Sequence, residues 1–504
     1  MIIRNWHAAL VCALLLPGVS APAAVSELWG DKGEKWSPTS RLPDFSYAGY
    51  HCGEAPIPTI PPGVSIKSFG AKGDGIQDDT QAFLNAIAKV ESGAIEIPAG
   101  RYKITQIIEI RKPNLVLRGA DPKNTVLFCP IPLEKIKPNM GMNTGGRPTS
   151  NYSWSGGFLS LRGDPRSKML ATVTAEARRG DTLIQVSSTA GFTNGQWVMI
   201  AERDTPDNSL ATHLYSNDPG NLSKIKGNTR AALVTRIKGI KGGALQLERP
   251  LRADLKAIWK PEVLSFIPTV SECGIENLCF EFPVTDYLGH FTELGYNPIS
   301  LGGVINCWVR NIRIVNADSG LFISGRFNTV DGVVYESHRK ADRAGYVGHH
   351  GIYLGDGDNL FTHFDYRQKF IHDISVSHGA GNVCSCGQGV DLCFDHHKRA
   401  PYENLFTDID VGAGTRPWMC GGGADLGKHS GARETFWNLR AKKALVYPPS
   451  VFGPPSMNLV GVQSDQPSVT DKAGKWHENI QPAQLQPKNL YEAQLARRRG
   501  TLNP

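Results

Sequence analysis

The chain has 504 residues, 40% hydrophobic and 20% charged, which excludes a disordered polymer and is too long for one ordinary core. Two or three domains, or one elongated repeat, are expected, and 54 Gly with 33 Pro favour many short strands and turns over long helices. A net charge of +7 attracts anionic partners, but the one basic run, Arg497-Arg498-Arg499, is too short a stripe to suggest nucleic acid.

In chain order, Arg4, the apolar run Ala8–Leu16 and Ala21-Pro22-Ala23-Ala24 have the pattern of a secretory signal peptide over residues 1–24. The run is too short to span a bilayer, and no later segment is long enough. A secreted or periplasmic protein is expected. Cys12 would leave with the leader, and nine Cys would remain, so at least one is unpaired. Residues 25–62, with Trp29, Trp36, Phe45, Tyr47 and Tyr50 but no periodicity, read as an extended arm. Val64–Phe69 alternates as a strand, Gly70–Gly75 is a turn-rich loop, and Asp78-Asp79-Thr80 can cap a helix over about Gln81–Val90. Short strands follow at Ala94–Ile97 and Leu115–Leu117.

The run Val64-Ser-Ile-Lys-Ser-Phe-Gly-Ala-Lys-Gly-Asp-Gly-Ile-Gln-Asp-Asp-Thr-Gln-Ala-Phe83, followed by Ile97-Pro-Ala-Gly-Arg-Tyr102, resembles the opening of the pectate lyase superfamily. The resemblance implies an all-β fold, a right-handed parallel β-helix whose first coil is capped by the helix, since a solenoid's open end would otherwise expose its core. Residues 63–165 would begin that solenoid. Lyases, hydrolases, epimerases and phage tailspikes share such openings, so the reaction has to be argued from the site. Residues 166–260 read instead as antiparallel hairpins, a small inserted module (Gly180–Val186, Gly191–Ile200, Ala244–Glu248). From 261 to 470 short apolar strands resume, and residues 471–504 form a tail with a helix near Asn489–Arg497.

Nine of the fourteen His lie between 338 and 429. In Val390–Arg399 the period of two sends Val390, Leu392 and Phe394 inward and Asp391, Cys393, Asp395 and His397 outward. Asp391 and Asp395 would lie roughly 13 Å apart on a regular strand, too far for a glycosidase pair without a bend. Leu405, Ile409 and Val411 are expected inward, with Asp408 and Asp410 outward. His349, His350, His396 and His397 are candidate bases, because imidazole titrates near neutrality. Asp391 and Asp395 are candidate acid–base carboxylates. Lys398, Arg399, Arg416 and His429 are candidate substrate binders, guanidinium matching a carboxylate in a fork. Asp356 and Asp358 could hold Ca²⁺ through oxygen, as in several β-helix lyases.

These residues suit a lyase that cleaves a uronate-containing, anionic polysaccharide by β-elimination. Two alternatives stay open: a glycoside hydrolase of the same fold using Asp391, Asp395, Asp408 or Asp410, and a non-catalytic glycan-binding β-helix.

Overall fold

The computed structural model describes residues 23–501, so the expected leader lies outside the described residues up to residue 22. Short strands stack in two long parallel ladders. The first runs Ile108–Ile110, Leu159–Arg162, Ile299–Ile305, Leu321–Arg326, Gly348–Gly357, Phe370–Ala380 and Phe394–His396. The second runs from Val64–Ser65 through Gly93–Ile97, Leu115–Gly119, Gly274–Glu281, Trp308–Val315, Thr329–Glu336, Leu360–Tyr366, Val383–Gly389, Leu405–Asp410 and Thr435–Arg440 to Asn458–Val462. From residue 299 to 410 the chain visits the ladders alternately, which makes it a stack of parallel coils.

Each long strand of the second ladder is bent by one residue with positive φ. Asn277, Asn311, Gly332, His363, Cys386, Asp408, Asn438 and Gly461 occupy this position in successive coils, with φ between 50° and 72°. The register places them above one another, so the sheet folds along a single corner. This corrects the expected alternation of residues 405–411. Leu405 points outward, Phe406 and Ile409 point inward, and Asp408 sits on the corner 2.5 Å from Arg440. The interior is a continuous apolar column in which Phe406 and Phe436 stack with ring centroids 5.1 Å apart.

A second file of residues fixes the turns. Asn328, Asn359, Asn382 and Asn404 are buried, one per coil. The side-chain oxygen of each of the last three accepts both the backbone N–H and the side-chain amide of the asparagine one coil earlier, at 3.0–3.1 Å. The file ends at Glu434, which accepts from Asn404 N at 2.8 Å and Nδ2 at 3.0 Å. Turns that would leave buried peptide groups unpaired are thereby satisfied.

The capping helix Thr80–Lys89 buries Ala82, Phe83, Ala86 and Ile87. Asp79 precedes it without capping it; its carboxylate instead accepts from Lys72 N at 2.7 Å and Gly73 N at 3.0 Å, tying down the glycine-rich loop. Between Met169 and Ser265 lies a six-stranded antiparallel sheet with its own apolar core. It is clamped to the coils by buried ions. Asp358 accepts from Arg249 at 2.8 and 2.9 Å and from Arg252 at 2.8 Å. Glu403 meets Arg179 at 2.6 Å, Arg433 at 2.7 Å and Arg252 at 3.5 Å. The arm carries Trp29, Leu42 and Phe45 onto the outward face of Val383, Leu405, Trp437 and Val460, and the C-terminal helix Leu490–Arg498 packs beside it. The nine Cys among the described residues are free thiols, seven of them buried.

Replacing Asn359 by Ala orphans the Asn328 amide and the two carbonyls that Asn359 bonds, and is expected to destabilise the fold by about 2–4 kcal/mol. Chemical denaturation followed by circular dichroism tests this, and a loss under about 1 kcal/mol would contradict a register role for the file. Burial works to raise the Glu403 pKa, but its three arginines hold it at about 2. The ordinary glutamate value is about 4.3, so the clamp's contribution is complete above that pH and is lost as pH falls toward 2. Denaturation midpoints are expected to fall more steeply between about pH 4 and pH 2 in the unmodified protein than in Glu403→Gln; parallel curves would refute the clamp.

Candidate active site

On the outer face of the first ladder the parallel register superposes Phe322, Tyr353, Ser375 and Asp395, and places His350 beside His372. Residues 20 or more positions apart in sequence thus sit one strand spacing apart, about 4.8 Å. A cleft of 490 Å³ lies over this face. Its walls are Trp154 and Phe291 on one side, the hairpin residues Met142–Thr144, and the glycine segment Gly421–Gly423. The loop between Gly274–Glu281 and Ile299–Ile305 brings in His290 and Phe291, whose rings stack 3.6 Å apart.

Asp395 is fully buried beneath the floor. It accepts from Gly421 N at 2.7 Å and Ser375 Oγ at 2.9 Å, and its Oδ2 lies 2.7 Å from His397 Nδ1 and 3.5 Å from His372 Nδ1. Burial alone would raise its pKa, but His372, His397 and these hydrogen bonds outweigh it and hold the carboxyl well below the usual range. The same pairing overcomes burial at His397 and raises that imidazole above its ordinary value. Since the Ser375 hydroxyl donates to Asp395, it accepts from His350 Nδ1 at 3.0 Å, which leaves His350 Nε2 as the basic nitrogen. Burial, reinforced by neighbouring imidazoles, keeps His349 and His350 neutral.

A second carboxylate lies behind His349. Glu293 accepts from the Tyr287 hydroxyl at 2.5 Å, and its other oxygen is 3.7 Å from His349 Nδ1. Burial pushes its pKa up to about 7. His290 Nε2 and His349 Nε2 are 2.8 Å apart, and one ring nitrogen each of His290, His349 and His372 falls within a 4.8 Å spread.

The structure gathers His349, His350, His397, Asp395 and Arg399 at this cleft, and adds His290, His372, Tyr353 and Glu293, none of which stood among the candidates. The other candidates lie elsewhere. His396 is fully buried in the interior against Phe406, Phe436 and Phe452, with Nε2 donating to Glu434 at 2.8 Å. Asp391 is spent on Thr415, accepting from N at 2.9 Å and Oγ1 at 2.6 Å. Arg416 is buried in an ion pair with Asp373 at 2.5 Å. His429 bonds the His396 carbonyl, and Lys398 stands in the left-handed turn 398–400 beside Arg399 without lining the cleft. Asp358 is neutralised by Arg249 and Arg252, and Asp356 borders a separate cavity with Arg166 and Arg326, so the expected calcium pair is not assembled.

His396→Ala is therefore expected to cost about 2–4 kcal/mol of stability by stranding buried Glu434, whereas Arg399→Ala on the rim stays within about 0.5 kcal/mol. Equal shifts in denaturation midpoint would contradict these placements.

Residues 63–128 match the family model described as "Rhamnogalacturonase A/epimerase, pectate lyase-like". The preneck appendage protein of Bacillus phage PZA is 44% identical over 66 residues, 13% of this chain and 7% of that protein. The plasmin and fibronectin-binding protein A of Streptococcus pneumoniae (strain ATCC BAA-255 / R6) is 26% identical over 146 residues, 26% of this chain and 19% of that protein. The chain thus spans under a fifth of the length of either relative. Among solved structures, the tailspike protein gp49 from Pseudomonas phage LKA1 is similar with a TM-score of 0.47 and 12% identity, covering 82% of this chain and 68% of that one. Among the described residues no helix is long and apolar enough to cross a membrane. The opening over residues 63–128 is thus similar to the pectate-lyase-like family model, and the coils that follow it stack in parallel.

Proposed function

We propose that this protein is an exported right-handed parallel β-helix lyase that cleaves a uronate-containing polysaccharide by β-elimination. One observation carries the choice of reaction. The cleft is lined by His290, His349, His350, His372 and His397 with Tyr353 and Arg399, and no Asp or Glu is among its lining residues. Hydrolysis by the usual pair of carboxylates needs both at the glycosidic bond. Here Asp395 and Glu293 lie behind imidazoles and act through them.

Elimination needs a cation on the uronate carboxylate, a base for the adjacent carbon-bound proton, and an acid for the leaving oxygen. Arg399 supplies the cation at the rim. His350, aligned through Ser375 onto Asp395, supplies a basic Nε2. Tyr353, whose pKa burial lifts to about 12, stays protonated at neutral pH and supplies the acid. His397 with its buried anion adds positive charge where an enolate would develop. Trp154 and Phe291 offer apolar faces to sugar rings. Export rests on the leader-like residues 1–24, and the anionic substrate on Arg399 and the net charge of +7.

The test is a panel of uronate-rich and neutral glycans incubated with the purified chain, following ultraviolet absorbance of the unsaturated product together with reducing ends. Both are expected to rise on a uronate polymer, and His350→Ala is expected to lower the rate by about 10²–10⁴-fold. Reducing ends without absorbance would overturn elimination in favour of hydrolysis, and binding without either signal would overturn catalysis.

A further inference from the structure

We propose that His290, His349 and His372 form a binding site for one divalent first-row transition metal ion, of which zinc is representative, open on the side of the cleft. The three rings come from a loop and two adjacent strands, and their ligand nitrogens lie within 4.8 Å of one another. Tetrahedral bonds of 2.0–2.1 Å place ligand nitrogens about 3.3 Å apart. That value falls between the 2.8 Å of the His290–His349 pair and the 4.8 Å limit of the group, so shifts of up to about 1.5 Å, shared among the rings, close the site. His290 is exposed on its loop and has room to make that adjustment.

The groups behind the rings supply an independent argument. A metal-bound imidazole characteristically turns its other nitrogen to a carboxylate, which fixes the tautomer and strengthens the ligand. His349 Nδ1 faces Glu293 Oε2 at 3.7 Å, and His372 Nδ1 faces Asp395 Oδ2 at 3.5 Å. His349 Nδ1, His372 Nδ1 and Glu293 Oε2 are all buried without a hydrogen-bond partner. Buried polar atoms are seldom left so. Drawing the two rings onto a cation would commit their cleft-side nitrogens to the metal and leave Nδ1–H on each to donate to its carboxylate. Three imidazoles select zinc, copper, nickel or iron over calcium or magnesium, which take oxygen ligands. Three protein ligands also leave a position for water or a substrate oxygen, as catalytic zinc sites do. In the cleavage proposed above, that position would share with Arg399 the neutralisation of the uronate carboxylate, but the site itself stands on geometry independent of that reading.

The full chain, stripped with a chelator and dialysed, is titrated with Co²⁺ by visible absorption and with Zn²⁺ and Ca²⁺ by calorimetry. One equivalent of Co²⁺ is expected to bind with the visible bands of a nitrogen-ligated low-coordinate ion, Zn²⁺ to displace it, and Ca²⁺ to give no binding. His290→Ala, a substitution on an exposed loop, is expected to weaken binding at least tenfold. Glu293→Gln is expected to weaken it by about 10–100-fold. His363→Ala, at the distant strand corner where His363 pairs with Asp331, should leave it unchanged. Absence of stoichiometric Co²⁺ and Zn²⁺ binding, or binding that His290→Ala leaves intact, overturns the site. The readout is metal binding, so its failure is distinguishable from a failure to cleave uronate polymers.

Discussion

In the buried asparagine file, each side chain satisfies the turn of the coil before it through its carbonyl oxygen and reaches the next through its amide. A coil displaced by one residue would break two such bonds and leave buried amides unpaired, at about 1–3 kcal/mol each. Apolar packing in the column opposes the same slip, because it would turn the inward side chains outward. The polar file adds directional bonds to that constraint. It ends at Glu434, whose carboxylate also takes the His396 N–H, so this histidine belongs to the register system.

The cleft inherits its geometry from that register. Tyr353, Ser375 and Asp395 stand in line because their strands are held in step, and the links from His350 to Ser375 to Asp395 depend on spacings of 3.0 and 2.9 Å. A slip of one residue would turn the floor residues to the interior. The buried Asp395 also shows how a solenoid surface sets the charge of the groups facing its cleft. The anion is placed beneath imidazoles, where low dielectric strengthens its effect on them, and only its consequences reach the cleft.

What was legible in the sequence follows from what is local. The opening run over 64–102 announces a capped coil because a tight glycine loop and an amphipathic helix each have their own pattern, although the expected strand Val64–Phe69 is extended only at Val64–Ser65 and turns as a 3₁₀ helix over Ile66–Phe69. The alternation Phe394 in, Asp395 out, His397 out could be read correctly, and the same alternation already sends His396 inward, but it fails at Val390, which was expected inward and is exposed because the strand begins only at Phe394. The corner file could not be read. Asn, His, Cys and Asp occupy positive φ there because neighbouring coils impose the bend, and only Gly and Asn advertise such a position by themselves. His290 and Glu293 were equally hidden, since their loop reaches the cleft only after coils far apart in sequence have stacked. Arg416, Asp391 and Asp358 have the composition of a site, but each is consumed by a partner that sequence spacing does not show.

The arm and the helix Leu490–Arg498 lie together on one outer face, although Phe45 and Gln494 stand 449 positions apart in the chain. Phe45 N donates to Gln494 Oε1, Gln494 Nε2 donates to the Pro43 carbonyl, and the Tyr491 hydroxyl donates to the Ala48 carbonyl. Until the helix emerges, Trp437, Leu405 and Val383 have an incomplete cover, and the growing solenoid keeps an apolar flank. Closure of this seam therefore waits on residues 490–498, so a molecule that lacks them carries a sticky side that the closed solenoid does not.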